Sequence, residues 1–180
     1  MKHLEIEMKT LLNKDEYQRL QDHFSGVTPI TQKNYYLDTP DFYLRKHKIA
    51  MRIRTFENSA ELTIKIPQKV GNMEYNQDLS LEEANHCLKE CKLPQGMILD
   101  ELTSRGLSTS GWVVLGCLTT VRYEKQTPIG LMALDQSQYF DIVDYELELE
   151  VEDGNQGSLD FQEFLQANEI NYKKAPSKLV

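Results

Sequence analysis

Glu5 and Glu7 stand two residues apart near the start of the chain, and Lys9 follows at the same spacing. On an extended strand, residues two apart share a face and lie roughly 6.5–7 Å from one another. These three side chains therefore form one row. Three more rows occur: Arg52 with Arg54; Glu61, Thr63 and Lys65; and Glu146, Glu148, Glu150 and Glu152. Rows of carboxylates suit hard divalent cations, which take oxygen donors. Guanidinium forks and ammonium groups suit phosphate oxygens. The combination is the chemistry of a metal-bound phosphate chain.

The elements that carry these rows are strands. Each row alternates with apolar residues: Leu4, Ile6 and Met8; Ile49, Met51 and Ile53; Leu62, Ile64 and Ile66; Leu147, Leu149 and Val151. The commonest outcome of such alternation is a half-buried sheet with one solvated face. A solvated face, however, gains by mixing signs, because adjacent like charges repel. Here Glu neighbours Glu and Arg neighbours Arg, an arrangement that makes sense if cations and a polyanion offset the repulsion. Strands are predicted over 3–10, 32–38, 48–56, 60–66, 73–79, 112–125, 130–140 and 143–152.

Helices are expected from Asn13 as N-cap to Phe24, from the Ser80–Glu83 capping box to Cys91, over 95–105 ending at Gly106, and from Ser158 to Asn168. The last is expected to bury Leu159, Phe161, Phe164 and Leu165, and Asp153-Gly154 is read as a turn. The fold class is α+β: a closed eight-stranded antiparallel β-barrel with flanking amphipathic helices. The apolar strand faces then point outward under the helices, and the charged rows line an interior cavity.

The chain of 180 residues, 40% hydrophobic and 27% charged, is expected to form a single domain over residues 1–180. No segment reaches the roughly 18 apolar residues of a membrane span. The start of the chain enters a strand directly, so a cytoplasmic location is expected. A net charge of −8 excludes general nucleic-acid binding through the overall field. Three cysteines form no disulfide framework. His86, Cys87 and Cys91 lack a second ligand pair at zinc spacing, so the thiols are expected to be buried and apolar.

Glu5-Ile-Glu7-Met-Lys9 resembles the ExExK signature of the CYTH superfamily, the triphosphate tunnel metalloenzymes. Further elements follow in that family's order across nearly the whole chain. They are Tyr36-Leu-Asp38-Thr, Met51-Arg52-Ile-Arg54, Leu62-Thr-Ile-Lys65, Glu74, Arg122, Asp135, Glu146-Leu-Glu148-Leu-Glu150 and Pro176-Ser-Lys178. The resemblance implies an eight-stranded tunnel acting on triphosphates with Mg²⁺ or Mn²⁺. It implies metal binding by Glu5, Glu7, Asp135 and two of the four glutamates Glu146, Glu148, Glu150 and Glu152, of which the Asp153-Gly154 turn favours Glu148 and Glu150, with Glu74, Glu146 and Glu61 as possible additions.

Phosphate binding falls by the same resemblance to Lys9, Arg52, Arg54, Lys65, Arg122 and Lys178. Glu5, Glu7 and Lys9 are the expected catalytic residues. Position 120 is threonine where the family often carries a second base. The expected activity is hydrolysis of tripolyphosphate or another small organic triphosphate, by a monomer or homodimer. A class IV-type adenylate cyclase uses the same site differently, but no Gly-rich phosphate loop or adenine-reading motif accompanies it here. A non-catalytic receptor for polyphosphate or a phosphorylated nucleotide would need the bases but not so many adjacent carboxylates. Tyr35, Tyr36 and Tyr139 are expected to pack on strands, and Trp112 in the core or at the rim.

Overall fold

A computed structural model of the protein describes residues 1–175. Lys178 and the rest of the Pro176-Ser-Lys motif lie outside the described residues. Eight strands form a closed barrel in the order β1-β5-β4-β3-β2-β6-β7-β8. They are β1 (Lys2–Leu12), β2 (Ile30–Asp38), β3 (Ala50–Thr55), β4 (Ala60–Pro67), β5 (Asn72–Leu79), β6 (Val113–Thr127), β7 (Gly130–Tyr139) and β8 (Ile142–Val151). The helices are α1 (Lys14–Leu20), α2 (Tyr43–Lys46), α3 (Leu81–Glu90), α4 (Met97–Ser104) and α5 (Gly154–Ala167). A 3₁₀ turn, Gln21–Phe24, continues α1.

The described residues divide into two compact units. One comprises Met1–Leu4 and Gln32–Leu118, and the other Glu5–Thr31 with the residues from Thr119. In the first, the apolar faces of β3 and β4 (Met51, Ile53, Leu62, Ile64) pack with Ala84 and Cys87 of α3 and Ile98 and Leu102 of α4. Trp112 joins this core at 2% exposure. In the second, Met132 and Leu134 of β7 and Leu147 and Leu149 of β8 pack with Tyr17 and Leu20 of α1 and Phe161 and Leu165 of α5. Each core thus lies between strands and helices, and the polar strand faces turn the other way, as the alternation requires.

Local signals start the helices where expected. Asn13 Oδ1 accepts the Glu16 N–H at 2.8 Å while Glu16 Oε1 accepts the Asn13 N–H at 2.8 Å. Ser80 and Glu83 close the same reciprocal box at the start of α3. The Asp38 carboxylate, 1% exposed, accepts the N–H groups of Thr39, Leu44 and Arg45, which folds α2 back against the end of β2.

Four expectations need correction. Asp153 is no turn residue but the N-cap of α5, its Oδ1 accepting from Asn155 and Gln156, so the helix begins earlier than Ser158. Leu159 is 61% exposed, because at about 3.6 residues per turn a position two away from both Gly157 and Phe161 falls on the face opposite the buried stripe of Gly157, Phe161 and Leu165. Of the thiols only Cys87 is buried, and burial followed by the nearby Glu83 charge pushes its pKa up. Cys91 is exposed in the left-handed C-cap of α3, and Cys117 is exposed on β6. Tyr139 is exposed beside Phe140 at the β7–β8 turn and does not pack along the strand. Among the described residues no helix is long and apolar enough to cross a membrane.

Candidate functional site

In the second unit the antiparallel register decides which charges face each other. Along β1 and β8, Glu7 stands opposite Glu150, Lys9 opposite Glu148, and Leu11 opposite Glu146. Across β7, Asp135 pairs with Glu146, Ala133 with Glu148 and Leu131 with Glu150. Asp135, Glu146 and Glu148 each offer an oxygen, and these atoms lie within 4.8 Å of one another. Asp135 and Glu146 are buried, at 3% and 2% exposure. Three carboxylates at that separation form an all-oxygen donor set that fits Mg²⁺ or Mn²⁺ and disfavours softer ions.

Arg122, opposite Asp135 on β6, holds this set together. Its Nε donates to Asp135 Oδ1 at 2.8 Å, and Nη2 donates to Asp135 Oδ2 at 2.7 Å and to Glu148 Oε2 at 3.1 Å. Burial alone disfavours the charged guanidinium. The Asp135 bonds and charge, then Glu148 and Glu124, outweigh that and hold the Arg122 pKa well above its ordinary range. Arg122 therefore serves carboxylates in this structure. Thr120 is buried and shares a 2.9 Å hydroxyl bond with Ser137. Glu5 lies on β1 at 8% exposure.

The first unit gathers the other bases. Arg52 and Arg54 share a face of β3. Arg54 Nε donates to Asn34 Oδ1 at 2.5 Å, and Nη1 lies 3.9 Å from Glu61 on β4. Lys65 stands opposite Glu74 in the β4–β5 ladder, 3.7 Å from its carboxylate. Asn76 links Glu74 to Thr63, donating to Glu74 Oε1 at 3.1 Å and accepting from Thr63 Oγ1 at 2.7 Å. Glu61 and Glu74, possible metal ligands by sequence, thus stand beside bases. Arg52 Nε is buried and has no hydrogen-bond partner among the described residues. Buried polar groups are normally satisfied, so this donor stands out on its face. Gln32 and Asn34 on β2 are neutral, so the pattern of charged rows gives no signal for them.

The CYTH domain model matches residues 3–180. "Putative triphosphatase YjbK" of Bacillus subtilis (strain 168) is 34% identical over 179 residues, 98% of this chain and 93% of the relative. A crystal structure of a Bacillus halodurans protein named "a putative adenylate cyclase" is 36% identical with TM-score 0.92, covering 99% of this chain and 96% of that one. The Hippeastrum protein HpAC1 shares the fold at TM-score 0.83 and 24% identity, with coverage of 97% and 93%.

Proposed function

The chain belongs to the CYTH domain family, and from that premise we propose that it is a divalent-metal-dependent triphosphatase acting on inorganic tripolyphosphate or another small triphosphate. The observation that carries the reading is the oxygen trio of Asp135, Glu146 and Glu148 with Arg122 bound to it and Lys9 opposite Glu148. The buried, unpartnered Arg52 Nε supports the phosphate side of the same reading. The name of the Bacillus subtilis relative agrees with it.

Asp135, Glu146 and Glu148, with Glu5, Glu7 and Glu150 on neighbouring positions, are assigned the cation. When bound, Mg²⁺ or Mn²⁺ neutralises charge on the phosphate oxygens and lowers the pKa of an attacking water. Arg52, Arg54 and Lys65 take phosphate oxygens, as does Lys9. Arg122 is a positioning residue that fixes Asp135 and Glu148. In hydrolysis the water oxygen attacks the terminal phosphorus, the bridging P–O bond breaks, and diphosphate leaves with the electron pair. The proton of the water passes to solvent, and Lys9 pairs its charge with the departing phosphate oxygens.

The test is phosphate release from tripolyphosphate, ATP and thiamine triphosphate with Mg²⁺ or Mn²⁺, beside an assay for cyclic AMP. Metal-dependent release is expected, reduced roughly 100-fold or more in Glu148→Gln. Cyclic AMP formation would favour the adenylate cyclase reading, which the name of the Bacillus halodurans relative carries. Binding of all three without turnover would sink the enzyme reading for them and leave a receptor.

A further inference from the structure

Gln32 and Asn34 lie two apart on β2 and therefore on one face. Both are almost fully buried, at 3% and 2% exposure. Asn34 stands opposite Arg54 in the β2–β3 ladder and accepts its Nε–H at 2.5 Å. That bond fixes the inner edge of the guanidinium, whose Nη1 lies 3.9 Å from Glu61.

Gln32 sits one step further along the same face. Its Nε2 is buried and has no hydrogen-bond partner among the described residues. A buried amide donor without an acceptor destabilises the fold, whereas an apolar residue of the same size would not. The Arg52 Nε, on the same face of the neighbouring strand, is in the same condition. Two orphaned donors on one small face, with Arg54 between them in position, leave the surface short of acceptors. An oxyanion supplies acceptors and opposite charge together.

We propose that Gln32 is a substrate-contacting residue, donating its amide N–H to an oxygen of a polyphosphate chain, and that Asn34 is the positioning residue that aims Arg54 at the same chain. The identity of the anion rests on the triphosphatase reading; the shortage of acceptors does not. Because an amide carries no charge, Gln32 cannot be neutralised by the carboxylates of neighbouring strands, and its contact survives wherever the anion is ionised.

Tripolyphosphate binding by calorimetry and thermal melting of the full-length protein test this together. Gln32→Leu is expected to melt at or above the wild-type temperature, because the orphaned donor is gone. It should bind tripolyphosphate roughly 10- to 100-fold more weakly, as for loss of a hydrogen bond to a charged group. Gln32→Glu should bind more weakly still. Asn34→Ala should weaken binding, and its effect should nearly vanish in an Arg54→Ala background. Wild-type affinity in Gln32→Leu overturns the proposal, as does a lowered melting temperature with affinity unchanged. Wild-type protein that binds tripolyphosphate without hydrolysing it overturns the triphosphatase reading, while weaker binding by Gln32→Leu would still support the contact.

Discussion

Arg122 illustrates how a single side chain changes role once its neighbours are known. Its type suggests phosphate, but its bonds go to Asp135 and Glu148. Removing one partner of a buried ion pair strands the other, typically at about 3–5 kcal/mol. Arg122→Gln should therefore lose about 3 kcal/mol in urea denaturation, given the partial exposure of the cluster. It should also regain part of that loss in Mg²⁺, because the cation neutralises the stranded carboxylates. A loss that Mg²⁺ leaves untouched would separate Arg122 from the proposed metal ligands. At the same scale, Lys65 with Glu74 and Arg54 with Glu61 are ion pairs set by cross-strand opposition.

Elements are held by devices that bridge distant parts of the chain. The Glu16 carboxylate caps α1 through the Asn13 N–H, accepts the Asn171 N–H at 3.2 Å and receives Lys173 Nζ at 2.8 Å. Burial raises its pKa, but the Asn13 bond, then Lys173 and Asn171, prevail and hold it below the ordinary value. A group lowered on folding stabilises the protein above its unfolded pKa, about 4.3 for glutamate, and loses that contribution as pH falls through the folded value. Glu16→Gln should then cost about 1–2 kcal/mol near neutral pH and flatten the acid limb of a melting-temperature profile. A parallel downward shift at all pH values would rule out the titration.

The seat of α5 on β8 depends on a missing side chain. A Cβ at Gly157 would come within 2.5 Å of Val151 Cγ2. Gly157→Ala should destabilise by about 1–3 kcal/mol despite the gain in helix propensity. Val151→Ala in the same chain should recover much of that in chemical denaturation.

For the whole molecule, the proposed cation site makes stability depend on divalent metal. Glu7 stands opposite Glu150 across the β1–β8 ladder, so one rung carries two like charges. A cation bound only by the folded protein adds about 2.7 kcal/mol at a hundred times its dissociation constant. At about 2–4 °C per kcal/mol, the melting temperature should rise by about 5–10 °C in Mg²⁺ over a chelator control. The same rise in K⁺ at matched ionic strength would reduce the effect to screening. Glu148→Gln should lose most of the Mg²⁺ increment.

Much of this architecture is legible in the sequence, because alternation with period two and capping side chains are local properties. The spans of β1 to β8, the outward apolar faces, the caps at Asn13 and Ser80 and the like-charged rows all follow from residues within a few positions of one another. Register is different. Nothing near Glu148 says that Lys9 and Ala133 flank it, or that Asp135 and Glu146 share a rung. Four alternating glutamates look alike until pairing with remote strands separates Glu148, beside Asp135, from Glu150, opposite Glu7. The same holds for the buried amides of Gln32 and Asn34. Each is defined by what folding brings against it, and a contact between distant segments leaves no periodic trace in either one.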